Sequence, residues 1–364
     1  MTTPPPQRNK RRRSRAPSPR TGRRPTSAAG VSKAVTPPEA KVPVQPDHPQ
    51  LEPSPAVSAE VPTEPESKTT ATDSPPPPVY SLGNGLWQAQ YEAVVGLAHR
   101  DMSLPLPCQD AALARNQPRP MLMVADGAGS SAASEWGSQC VVTGIARLLD
   151  TLEQHLVDLL DSAEEPEANA GRSFGLLLVK HARGLLVDLA YTQRRSLKDV
   201  RCTLLVAVVG QQRLLWIKLG DGALVYERIP QPLAVDTQAA EMSLQPQLMI
   251  VGTSGKGEFA NQTQFIDEQL QPQDVQVGLL PVQNITGIAA MSDGAADRLV
   301  AHDGVKVAAQ LSQWFEALRH GALKRRALTQ RFYSEPFTQG TTGDDCSVAL
   351  LATGLNFSPP QDSG

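Results

Sequence analysis

The chain has 364 residues and a net charge of −3, but its composition is divided: 19 of its 32 Pro lie before Tyr80, and no Phe, Trp or Tyr precedes that residue. Residues 1–78 carry a net +5 and leave −8 to the remainder, and an acidic folded part argues against nucleic acid as its substrate. The four cysteines (Cys108, Cys140, Cys202, Cys346) show no C-x-x-C pair or zinc-ligand spacing. No apolar run reaches the ~18 residues of a membrane-spanning helix, and the basic start leads into Pro-rich sequence, not an apolar signal segment. A reduced, cytoplasmic protein without a membrane span is expected.

Residues 1–79 hold too little apolar surface to offset their ordering entropy and read as disordered. Within them, residues 8–24 (RNKRRRSRAPSPRTGRR) form a basic block without an acid. This block is either an electrostatic arm for an acidic partner, nucleic acid or anionic lipid, or a solvated tail. Residues 39–78 turn acidic and Pro-rich, as in a stiff spacer. The folded domain is expected over residues 80–356, with 357–364 as a flexible tail.

Tyr91 to Ala98 reads as the first strand and residues 121–125 as the next. A long helix then begins at an N-cap on Ser130 or Ser131, with Ala133, Trp136, Cys140, Val141, Ile145, Leu148, Leu152, Leu156 and Leu159 at helical spacing. A second helix is expected over 173–195, its buried stripe running through Phe174, Leu177, Leu178, His181, Leu185 and Leu189. Three strands follow as a meander (203–209, 214–219, 224–229), with further strands near 275–279 and 285–291. Helices over 304–318 and 321–333 precede a last strand at 346–352, and residues 252–262 read as a flap. Trp87, Trp136, Trp216 and Trp314 are expected in the core. Segregation of strands from helices favours antiparallel sheets with helices outside them over a parallel βαβ sheet.

Four strand ends carry acids: Ala125-Asp126-Gly127, Gly220-Asp221-Gly222, the run Ser292-Asp293-Gly294-Ala295-Ala296-Asp297, and Gly343-Asp344-Asp345. A strand fixes where its terminal acid stands, and Gly permits the sharp turn that follows. One Asp-Gly pair is usually only a turn, but four in such contexts suggest one acidic cluster. Crowded carboxylates repel one another and are relieved by hard divalent cations. Oxygen-only motifs favour Mg2+ or Mn2+ over zinc.

In this order and spacing the motifs ADG (125–127), GDG (220–222), SDGAAD (292–297) and DDCSVALL (344–351) resemble those of the metal-dependent protein phosphatases, the protein phosphatase 2C family. GEFANQTQFI (257–266) and CQD (108–110) add similarity to a bacterial subgroup. The resemblance covers about residues 85–355. It implies an α+β fold, a four-layer α/β/β/α sandwich of two antiparallel sheets flanked by helix pairs. It also implies hydrolysis of phosphoserine or phosphothreonine on proteins by a water activated by two Mn2+ or Mg2+ ions, opposing a partner kinase.

By the same resemblance Asp126 bridges both metals, with the Gly127 carbonyl on one of them. Asp293 and Asp345 complete the other shell, Asp110 holds metal-bound waters, and Asp221 marks a third, weaker site to which Asp297 contributes. Three positions depart from the family pattern: Gln109 stands for Glu, Pro105 for a phosphate-gripping Arg, and Ala128 for a proton-donating His. The phosphate is then left to His99 or Arg100, with a purely structural loop role for His99 equally open. The neutral Gln109 and the missing Arg keep open a catalytically weakened phosphoprotein-binding regulator. The basic block keeps open a tether for nucleic acid or an acidic partner.

Overall fold

Among the described residues ten strands alternate apolar side chains towards two different partners, and this sets the layers. The computed structural model describes residues 86–229, 246–253, 263–301 and 304–353, all within the unit spanning residues 74–364. The arm, the C-terminal tail and most of the expected flap lie outside the described residues.

Sheet A runs in the order β1 (Gln88–Val94), β10 (Cys346–Ala352), β9 (Ile285–Met291), β6 (Ala223–Arg228) and β7 (Gln247–Val251). Sheet B runs in the order β2 (Ala111–Arg115), β3 (Met121–Ala125), β4 (Leu204–Val209), β5 (Arg213–Leu219) and β8 (Gln276–Pro281). Every pairing is antiparallel. On sheet B, Leu122, Val124, Leu205 and Ala207 meet Leu224, Ile288, Ala349 and Leu351 of sheet A to form the central core. The alternate residues of sheet B, such as Met123, Val206 and Ile217, pack against the helices Ser134–Thr151 (α2) and Ala170–Thr192 (α4). Alternate residues of sheet A, such as Val225, Ala289 and Leu350, pack against Asp293–Leu299 (α5), Ala309–Arg319 (α6) and Arg325–Phe332 (α7). The result is the four-layer α/β/β/α sandwich. Its central strands have both faces covered, which is why they read as unbroken apolar runs.

Several local expectations shift. α2 starts at Ser134 without a side-chain cap, because Ser131 donates to the Lys198 carbonyl and Ser130 accepts from Arg201. It ends at Thr151, and a short turn (Glu153–Leu156, α3) and a π-helical turn (Val157–Asp161) complete the expected run. Arg119, 3% exposed, clasps Glu153 and Asp161 and holds that segment down. The buried stripe of α4 is Phe174, Leu178, Ala182, Leu186 and Ala190, while Leu177 and His181 face outward. α6 begins five residues later than expected because Val307 pairs with Val300 across a bridge. Trp136 is 42% exposed beneath the Arg195 guanidinium, so it is not a core residue, and Trp216 is half-buried.

Candidate active site

Strand register brings the acidic loops to one end of the sandwich. β2 and β3 pair Ala111 with Ala125, so Asp110 and Asp126 flank the same end of sheet B. Met291 pairs with Ala223 of β6, and β9 runs antiparallel to β10, so Asp221, Asp293 and Asp344 stand together at one end of sheet A. The turn through Asp221 links β5 to β6 and joins the two ends.

Oxygen atoms of Asp126, Asp221 and Asp293 lie within 4.8 Å of one another. Each loop is pinned by its backbone. The Asp126 amide donates to the Thr203 hydroxyl at 2.9 Å, and the Thr203 amide returns a bond to the Asp126 carbonyl at 2.8 Å. The Ser292 amide donates to the Ser347 carbonyl, and the Ser347 amide donates to the Ser292 hydroxyl at 3.0 Å. A Cβ on Gly294 would stand 2.2 Å from the Asp345 carbonyl oxygen, so only glycine lets these two loops close. The Gly127 amide donates to the Gln109 carbonyl at 3.1 Å. Thr263 donates to the Asp221 carboxylate at 2.5 Å.

The electrostatics are those of crowded acids. Asp110 is 4% exposed, and neither carboxylate oxygen has a hydrogen-bond partner. Burial first, then the negative charges of Asp345 and Asp293, push its pKa up to about 8, although the nearby Ser292 and Ser347 hydroxyls pull it down. Asp293 is pushed up to about 6 by burial and by Asp221. Burial, Asp110 and Asp293 together hold Asp126 well above the usual carboxylate range. Burial is the largest cause for all three, and the other raising causes are neighbouring aspartates. Such a set, with a buried carboxylate lacking a hydrogen-bond partner near it, fits hard divalent cations with oxygen ligands.

Asp345 does not join this group. Its Oδ1 accepts from the Gly96 amide (2.6 Å) and meets His99 Nδ1 (3.0 Å), and its Oδ2 accepts from the Gln109 amide (2.6 Å). It is 2% exposed and turned inward. The neighbouring Asp344 is exposed, and its charge raises the pKa of both Asp126 and Asp293. Asp297 is exposed on α5, outside the group. Arg100 is half exposed, its guanidinium 5.1 Å from the Tyr333 ring centroid. His99 is mostly buried between Asp345 and Asp344.

The model of the family described as protein phosphatase 2C matches residues 95–330. The chain belongs to the protein phosphatase 2C family. It is thus a metal-dependent protein phosphatase by class. The match includes Asp110, Asp126, Asp221 and Asp293 and stops short of Asp344 and Asp345. No curated protein matches the sequence of this protein phosphatase 2C chain.

Among solved structures, it is similar to the serine/threonine phosphatase Stp1 from Staphylococcus aureus, at 16% identity over 74% of this chain and 96% of that one, with a TM-score of 0.45. PppA, a regulatory component of T6SS in Pseudomonas aeruginosa, is 16% identical over 74% of this chain and 100% of its own, with a TM-score of 0.45. The catalytic domain of the serine/threonine protein phosphatase PstP, in complex with two manganese ions, is 14% identical over 74% and 99%, with a TM-score of 0.45.

Proposed function

We propose that the chain hydrolyses phosphoserine and phosphothreonine on proteins, using two Mn2+ or Mg2+ ions held by Asp126, Asp293 and Asp344, with Asp221 at a third position. The reading is carried by one observation: carboxylates from three separate strand ends converge within 4.8 Å beside the unpartnered, buried Asp110. When bound, such ions lower the pKa of a water and withdraw charge from phosphoryl oxygens.

The remaining work falls to the chain's own groups. Asp126, its backbone fixed by Thr203, would hold the ions with the carboxylates near it, and the Gly127 carbonyl would be a further oxygen ligand. Asp110, whose buried oxygens have no hydrogen-bond partner, would accept from waters in the ions' shells. In this reading Asp344 is the ligand and Asp345 supports the site by accepting from the Gly96 and Gln109 amides. Arg100, half exposed, is the cation left to meet the substrate phosphate, since His99 is engaged by Asp345. The hydrogen bonds that tie Gln109 to its neighbours run through its backbone amide and carbonyl. Replacing Glu by Gln therefore leaves the architecture of the site intact, which favours an enzyme over a phosphoprotein-binding regulator. The natural setting of this reaction is the cytoplasm, opposite a protein kinase, with residues 8–24 available to an acidic partner.

The test is hydrolysis of a phosphoserine peptide by the full chain with Mn2+, with Mg2+ and after chelation. Turnover should depend on the added ion and vanish in Asp126→Asn. Turnover that survives chelation, or survives that substitution, refutes the two-ion reading.

A further inference from the structure

Asp345 is committed on every side by donors. Two backbone amides, Gly96 and Gln109, each bond a different oxygen at 2.6 Å, and His99 Nδ1 stands 3.0 Å from Oδ1. A carboxylate so held can only accept, so the imidazole presents Nδ1–H to it, and the Nε2 lone pair faces the other way. In that direction lies Asp344, whose Oδ1 is 3.9 Å from Nε2. This is too long for a hydrogen bond. It is the spacing of two donors on one cation, since bonds of ~2.0–2.2 Å place neighbouring and opposite ligands ~3 to ~4.3 Å apart.

The frame around these groups is rigid. A Cβ on Gly96 would fall 2.2 Å from the Gly343 carbonyl, which itself accepts from the Ala98 amide at 2.8 Å. The Asp344 Oδ1 accepts from the Asp345 amide at 2.8 Å, which sets its side chain and leaves Oδ2 open. His99, Asp344 and Asp345 each offer a donor atom within 4.8 Å of the others. The Asp110 carboxylate, 4% exposed and with neither oxygen hydrogen-bonded, lies at this same end of the sandwich. Asp344 belongs to both neighbourhoods, because its charge also reaches Asp126 and Asp293.

We infer that His99 Nε2 is a nitrogen ligand to the cation held by Asp344, with Asp345 as the carboxylate that orients the imidazole. The centre is therefore a mixed nitrogen–oxygen site. A carboxylate bonded to the far nitrogen fixes ring orientation and raises ligand basicity, the usual support for a metal-bound histidine. An imidazole in the shell tilts selectivity from Mg2+ towards Mn2+ and later divalent ions. This inference rests on the two-ion reading above, and its test separates the two.

The full chain, stripped of metal, is titrated calorimetrically with Mn2+ and with Mg2+, and the Mn2+-loaded form is examined by pulsed electron spin-echo spectroscopy for coupling to imidazole nitrogen. The wild type should show that coupling. His99→Ala should lose it and bind Mn2+ about 10- to 100-fold more weakly, as should Asp345→Asn to a smaller degree, while Mg2+ affinity moves less than Mn2+ affinity. Mn2+ bound without imidazole coupling in the wild type overturns the inference and leaves the acidic site standing, and that measurement needs no variant to fold. A wild type that binds neither ion overturns both readings.

Discussion

Asp110→Asn in the metal-free protein tests the electrostatic account directly. The carboxyl is raised from 3.8 to about 8 in the folded chain, with burial as the largest cause. Because the folded value lies above the unfolded one, the folded chain keeps a proton that the unfolded chain releases. The associated stability is fully present below pH ~4 and is lost as pH rises towards 8. Each pH unit in that window is worth about 1.4 kcal/mol, so from pH 5 to pH 8 the wild type loses up to about 4 kcal/mol that an asparagine never loses. Neighbouring acids share the burden, and a difference on the order of 2–4 kcal/mol, or ~5–15 °C in Tm for a domain of this size, is expected. Thermal unfolding after chelation, read by tryptophan fluorescence, should show similar Tm values for wild type and variant at pH 5 and a more stable variant at pH 8. Saturating Mn2+ should reverse the order, since the wild type then gains more. An equal gap at both pH values would refute the claim that Asp110 is held protonated by its surroundings.

Three further outcomes follow from other parts of the molecule. Arg119→Met strips the buried Asp161 of its partner and should lower stability by about 3–5 kcal/mol in urea titration, with the cation affinity of the folded fraction unchanged. Lys218, 2% exposed, has its pKa lowered to about 8 by burial, so folding is penalised most below that pH. Lys218→Met should therefore raise Tm at pH 7, with the gain shrinking as pH approaches 10. Gly294→Ala drives a methyl into the Asp345 carbonyl and should separate the two loops, seen as weaker Mn2+ binding in calorimetry together with a lower Tm.

The layers were readable because strands and helices announce themselves by period. β3, β9 and β10 fall on the expected residues, since runs such as Met121 to Ala125 are covered on both faces and bounded by turns. The face of α4 was less readable. Leu177 and Leu185 are as apolar as Leu178 and Leu186, and the choice between the two stripes is made by which side meets sheet B. Tertiary contact also decides the start of α6, where the Val300–Val307 bridge holds residues back that would otherwise extend the helix. Trp136 shows the same limit: its spacing matches the buried stripe, yet it lies at the stripe's margin, where Arg195 covers its ring.

The acidic site was legible as a set of loops but not as a set of side chains. Asp344 and Asp345 are adjacent and chemically identical, and successive residues entering a strand point to opposite sides. Their different surroundings, Asp345 buried and Asp344 exposed, go with the pairing of Cys346 with Val94 and the left-handed turn at Gly343 (φ 77°), long-range facts that no local motif states. The inward acid is then free to take the Gly96 and Gln109 amides, and that clasp is what delivers His99 to the outward one. A histidine 245 residues away in sequence carries no motif signal towards an Asp-Asp pair. Its orientation becomes visible only in the fold, where the Asp345 carboxylate stands 3.0 Å from Nδ1 and leaves Nε2 on the far side of the ring.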